Sequence, residues 1–262
     1  MPIQLTRNSL TTISYLNQPL PYKALLFDLD DTLVDFKASE TSALDLVYKN
    51  FYQKFAEKET FTTNFHAINQ GLWESVEKLH LPIAHVGLKR FQVLTTELSA
   101  NVDPHHVASF YEDKLGTVSW LPGAQEAISS LKLHYKLGII TNGFARIQRI
   151  KHQSLSLGKW FNSFVISEEV TTAKPHKEIF NIALKEMDAL HSDALMIGDS
   201  LNSDYQGSIN AGIDFCWINA KGSPLPHHFP EPKFTLSSVG ELPLVLGAKE
   251  KLPQMTSESS YG

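Results

Sequence analysis

The chain has 262 residues, 42% of them hydrophobic, and 23 Lys plus Arg against 28 Asp plus Glu give a formal net charge of −5. That balance excludes a disordered chain, which carries too little apolar surface to bury, and a nucleic-acid partner, which needs a basic face. The one cysteine, Cys216, can form no internal disulfide and suits a cytoplasmic setting, and no apolar run approaches the ~20 residues that cross a bilayer, so no membrane partner is expected.

In chain order, residues 1–20 carry one Arg and no unbroken apolar stretch, and read as a loose extension instead of a signal peptide. The first strand is ALLF, ending before Asp28. From Phe36 to Val118 strand-like runs disappear. Instead Phe65, Ile68, Leu72, Val76 and Leu79 recur at helical spacing, as do Leu88, Phe91, Leu94 and Leu98. Asp103–Pro104 reads as an N-cap and first helical residue, with Gly116 closing that helix. Beyond it, short apolar runs alternate with helical patterns. The runs are KLGII before Thr141, FVIS before Glu168, ALMIG before Asp199 and FCWIN around Ile218. The helices follow Pro122, span Phe144 through Ile147 and Ile150 to Leu155, and begin at Pro175. Strand–helix alternation predicts an α/β, doubly wound parallel sheet with a Rossmann-like core. The chain therefore divides into that core (21–35 and 119–245), an inserted all-helical cap (36–118) and a C-terminal tail (246–262).

Ligands of open parallel sheets bind at the carboxyl ends of the strands. The polar residues just past the runs are Asp28, Asp30 and Thr32, then Thr141, Asn142 and Gly143, then Glu168 and Glu169 leading to Lys174, then Asp199 with Asp204 beyond. A lone Asp-x-Asp carries little weight; its recurrence at the ends of one sheet's strands does. Asp31 and Asp35 read as turn formers. Asp28, Asp30, Asp199 and Asp204 would converge with Lys174 alone opposing them, and carboxylates a few ångströms apart repel unless they protonate or share a cation. An all-oxygen site with room for water and phosphate suits Mg²⁺, and no His or Cys falls at zinc-ligand spacing. His105–His106 and His227–His228 read as exposed, and Cys216 as a buried thiol. The pair Asp28 and Asp30 permits one carboxylate to attack while the other handles a proton. Thr141 would offer a hydroxyl, Lys174 a fixed charge, and the Gly143 region, opening a helix, its backbone N–H groups.

FDLDDTL, TNG, the lysine of AKP and GDSLNSD resemble the four motifs of the haloacid dehalogenase-like (HAD) hydrolase superfamily, in order and across the whole core. The resemblance implies Asp28 as nucleophile, Asp30 as general acid and base, and Thr141 and Lys174 as phosphoryl-oxygen ligands. It also implies a metal shell of Asp28, Asp199, Asp204 and the Asp30 backbone carbonyl. Thr32, Asn142 and Gly143 are the remaining candidate phosphate contacts. IITNGFARIQ, VISEEVTTAKPHKEIF and INAGIDFCWINA are similar to the pyrimidine 5′-nucleotidase group, which implies a nucleoside monophosphate as the small-molecule partner. A nucleobase needs an aromatic face, for which Phe36 just after the hinge is the candidate; Trp73 is read as cap–core packing. The alternatives are a sugar-phosphate phosphatase or phosphomutase, a haloacid dehalogenase, which has no use for Asp30, and a non-catalytic binding protein.

Overall fold

The protein is described from a computed structural model, which covers residues 22–247 apart from Leu79. The N-terminal extension, Leu79 and the tail beyond Gly247 lie outside the described residues. All five apolar runs form strands: β1 (Ala24–Phe27), β2 (Lys136–Thr141), β3 (Ser163–Ile166), β4 (Ala194–Gly198) and β5 (Asp214–Ile218). A sixth, β6 (Phe234–Leu236), pairs Phe234 with Cys216 on β5. Three residues carry too little pattern for it to be legible from sequence.

Among the described residues every strand pairing in this sheet is parallel, in the order β3-β2-β1-β4-β5-β6. The fold is thus the expected α/β doubly wound sheet, with β1 between β2 and β4. Alternate residues of β1 serve opposite faces. Leu25 and Phe27 join a core that includes Ile128, Leu131 and Leu242. Ala24 and Leu26 join one with Ile179, Phe180 and Leu184. Covering both faces is why these strands read as unbroken apolar runs.

Helices α1 (Phe36–Val47), α2 (Lys58–Glu77), α3 (Ile83–Glu97) and α4 (Pro104–Leu115) follow β1 without an intervening strand. They bury a separate core of Val47, Phe61, Phe65, Phe91, Leu94 and Tyr111. Asp35 and Asp103 cap α1 and α4 by accepting from the N–H groups of Ala38 and His105, both at 3.0 Å; such caps contribute about 1 kcal/mol each. Among the described residues no helix is long and apolar enough to cross a membrane. His105, His106, His227 and His228 are exposed, and Cys216 is fully buried.

The remaining helices are α5 (Ala124–Leu131), α6 (Ala145–Ser154), α7 (Ser167–Val170), α8 (Lys177–Glu186), α9 (Gln206–Ala211) and α10 (Leu242–Val245). Three details differ from the expectation. Helix α8 starts at Lys177, not Pro175, because a turn closed by the His176 N–H to Ala173 O at 2.9 Å holds Pro175 outside it. On α6 the buried face is Ile147, Gln148 and Lys151, whereas Ile150 is 37% exposed. Leu246, counted with the tail, is buried against the sheet.

Candidate active site

Asp28 ends the central strand, and the turn after it reverses direction within six residues. Asp31 sits at φ 62°, its N–H donates to Val34 O at 2.8 Å, and Leu33 N–H donates to Leu29 O at 2.9 Å. This turn sends Asp28 and Asp30 to different partners. Asp28 Oδ1 lies 2.5 Å from Lys174 Nζ, and Asp204 Oδ1 lies 2.7 Å from the same nitrogen. Lys174 is fully buried, and its backbone is bracketed by Asn142, which donates from Nδ2 to Lys174 O (2.8 Å) and accepts at Oδ1 from Lys174 N–H (2.9 Å). The Asn142 side chain, expected on the phosphate, is thus engaged in holding the lysine.

Carboxylate oxygens of Asp28, Asp199 and Asp204 all lie within 4.8 Å of one another. Gly198 makes this possible, since a Cβ there would overlap the Asp204 carboxylate. The Ser200 N–H donates to Asp204 Oδ2 at 3.1 Å, and Trp217 Nε1–H donates to Asp199 O at 3.1 Å, so β5 steadies the β4 loop. Burial raises the Asp28 carboxyl well above its usual range, and Asp204 and Asp199 add repulsion that Lys174 only partly offsets. Burial likewise pushes Asp199 up to about 7, helped by Asp204 and Asp31. Burial would lower the Lys174 ammonium, but Asp204 and Asp28 outweigh it and hold the group charged. Three crowded acids with hard oxygen donors and raised proton affinity fit a Mg²⁺-type cation, which relieves that repulsion.

Asp30 stands apart from this cluster. Its Oδ1 lies 2.6 Å from Lys151 Nζ, and its Oδ2 accepts from Gln148 Nε2 at 2.8 Å. Lys174 is therefore not alone in facing the four acids. Gln148 and Lys151 escaped the sequence reading; the available signal was a lysine on the apolar stripe defined by Phe144, Ile147 and Leu155. Gly143 admits Gln148, because a Cβ at 143 would collide with its amide. The Gly143 N–H donates to Ser167 Oγ (3.2 Å) and the Ala145 N–H to Glu168 Oε2 (2.7 Å). The start of α6 is thus satisfied from within the protein, and Gly143 itself precedes the helix by two residues. Thr141 is buried at the end of β2, and Thr32 is buried with a hydroxyl that makes no hydrogen bond among the described residues.

Between this site and the helices of residues 36–115 lies a cleft, lined by Asp30, Asn142, Gly143 and Gln148 below and by Phe36, Glu40, Asn69, Trp73 and Arg90 above. Phe36 and Trp73 both reach it. The Phe36 ring lies 4.3 Å below Lys151 Nζ, and Trp73 stands 6.0 Å from Phe144. Arg90, 3% exposed, is a further functional candidate that the helical pattern did not single out.

Residues 22–212 match the profile of the haloacid dehalogenase-like hydrolases. The chain belongs to this family. The HAD protein is 32% identical over 224 residues to the pyrimidine 5′-nucleotidase YjjG of Escherichia coli (strain K12), covering 85% of this chain and 96% of that one. It is 33% identical over 210 residues to the pyrimidine 5′-nucleotidase PynA of Streptococcus pneumoniae, covering 79% and 85%. Among solved structures it is similar to the putative HAD-hydrolase YfnB of Bacillus subtilis bound to magnesium, with a TM-score of 0.78, 31% identity, and coverage of 86% and 99%. The HAD hydrolase core is therefore the doubly wound sheet, and the helices inserted after β1 sit over the carboxyl ends of its strands.

Proposed function

We propose that this HAD hydrolase is a Mg²⁺-dependent phosphatase acting on a small phosphate monoester, a pyrimidine nucleoside 5′-monophosphate, through an aspartyl-phosphate on Asp28. The observation that carries the chemistry is Asp28 Oδ1 at 2.5 Å from Lys174 Nζ at the end of the central strand, with the Asp199 and Asp204 carboxylates beside it. The nucleotide preference rests on similarity to YjjG and PynA.

In this reading Asp28 attacks phosphorus, and Asp30, which lines the cleft, donates a proton to the departing ester oxygen. Asp30 then takes a proton from water as that water attacks the phosphoryl group, which frees Asp28 and releases phosphate. Lys174 supplies positive charge at the transferring group, and Thr141 a hydroxyl. Asp28, Asp199 and Asp204, with the Asp30 backbone carbonyl, would hold the metal. When bound, the cation supplies charge that keeps these acids ionised and offsets the charge of the phosphoryl group. Residues 36–118 act as a cap that closes over the cleft opened between them and the core at 21–35 and 119–245.

The test is a phosphate-release screen with UMP, dTMP and sugar phosphates, run with Mg²⁺ and after exhaustive chelation. Hydrolysis of UMP and dTMP that chelation abolishes is expected. Sugar phosphates turned over while UMP and dTMP are untouched would reject the substrate, and full activity after chelation would reject the metal.

A further inference from the structure

Arg90 holds a cation in an unusual position. On α3, facing the cleft, its side chain donates from Nε to Gly87 O at 3.4 Å and from Nη1 to Asn69 Oδ1 at 3.1 Å. Its Nη2 is buried and makes no hydrogen bond among the described residues. The guanidinium is packed among aromatic rings, 4.8 Å from the centroid of Tyr111 and 5.4 Å from that of Phe144. A buried N–H with no acceptor is costly to keep, and this one belongs to a residue that lines the cleft.

We propose that Arg90 is the specificity-determining group of the cleft, donating from Nη2 to a carbonyl oxygen on a planar heteroaromatic ring carried by the leaving group. This rests on the phosphatase reading of Asp28 and Asp30. Two features select this ligand class. The aromatic residues Trp73, Phe144 and Phe36 line the same cleft and offer a planar ring apolar surface. The charge around Arg90 selects a neutral acceptor over a carboxylate. Glu40 lines the cleft and accepts from Tyr111 Oη–H at 3.0 Å, and Glu112 feels the field of Arg90 directly. With Glu112 already in the field of the guanidinium and Glu40 lining the cleft, a carboxylated sugar would add a further negative charge, whereas an oxo-substituted base adds none. A site built around a hydrogen bond rejects an analogue lacking that bond strongly, because the buried donor is left unpaired.

The experiment compares kcat/KM of the wild-type enzyme for dTMP, for ribose 5-phosphate, and for a dTMP isostere whose ring carbonyl oxygens are replaced by fluorine. Arg90→Met is assayed alongside. If the Met variant does not fold by circular dichroism, the wild-type comparison of dTMP with its isostere decides alone. The expected result is a preference of at least about tenfold for dTMP over the isostere in the wild type, collapsing toward unity in the variant. Equal rates on dTMP and its isostere in the wild type overturn the role of the donor, as does a preference that survives in a folded variant; in both cases dTMP stays far better than ribose 5-phosphate and the nucleotidase reading stands. If ribose 5-phosphate is hydrolysed as well as dTMP, the nucleotidase reading fails and this inference fails with it.

Discussion

Lys151 Nζ lies 2.6 Å from Asp30 Oδ1, and only 1% of the lysine side chain is exposed. The contact ties α6 to the turn after β1, across 121 residues of sequence. Together with Gln148 it holds the Asp30 carboxylate, which, on the proposed mechanism, makes Lys151 a positioning residue for proton transfer. Lys151→Met is expected to lower kcat by about 10–10²-fold, since general acid–base catalysis contributes ~10²–10⁴-fold and only its geometry is lost. KM should move little, and Lys151→Arg should restore part of kcat. A purely structural lysine would lower the melting temperature and leave the kcat-to-KM split unmoved. Some stability is also lost, about 1–3 kcal/mol, because the partner acid remains partly hydrated.

Gly143 offers a second route to the same carboxylate. A Cβ at this position would overlap the Gln148 amide, so Gly143→Ala should push Gln148 off Asp30. We expect kcat to fall by about tenfold with the fold intact. Steady-state kinetics check this, and an unchanged kcat would show that Gln148 does not orient Asp30.

Replacing Asp28 separates chemistry from stability. Asp28→Asn removes the proposed nucleophile and should lower turnover by at least ~10³-fold. The same change removes a buried carboxyl held above its usual range by burial and by two neighbouring acids. In metal-free buffer the variant should therefore melt at or above the wild-type temperature at neutral pH. Wild-type-like phosphate release from this variant would refute the mechanism.

Asp28 and Asp199 also dictate how stability varies with pH. Both bind protons more tightly when folded, Asp199 with a value of about 7. The Asp199 contribution is fully present below the unfolded value of about 4 and is lost as pH rises through about 7, and that of Asp28, also raised, is lost in the same direction. The metal-free protein should therefore lose melting temperature between pH 5 and 8 through these groups. Bound Mg²⁺ requires the ionised acids, so the rise in melting temperature on adding Mg²⁺ should be larger at pH 8 than at pH 5. Thermal melts with and without Mg²⁺ at the two pH values check the sign; equal Mg²⁺ shifts would remove these acids from the metal site.

The five longer strands were legible because a strand buried on both faces must be apolar along its whole length, and each run stops at a polar residue. Asp28, Thr141 and Asp199 were legible for the same reason, standing where the apolar run ends. The four cap helices fall in a stretch whose 3.6-residue period admits no strand, although α1 carried no pattern of its own. Composition and periodicity alone therefore gave the parallel α/β sheet, save its short sixth strand, the helical insertion, and the polar residues at the strand ends.

Only the tertiary structure decided which groups each acid meets. Asp28 and Asp30 are two residues apart, yet one turns to Lys174 and the other to Lys151, because Asp31 takes a left-handed conformation between them. Local periodicity placed Ile150 on the buried face of α6, but packing against Asp30 and Phe36 put Lys151 there instead. Arg90 looks like any helical cation in the sequence. Among the described residues its Nη2 has no partner, because Asn69 and Gly87 take its other nitrogens while Tyr111 and Phe144 pack against the guanidinium. Burial of a charge depends on contacts between segments far apart in the chain, and no local pattern encodes those contacts.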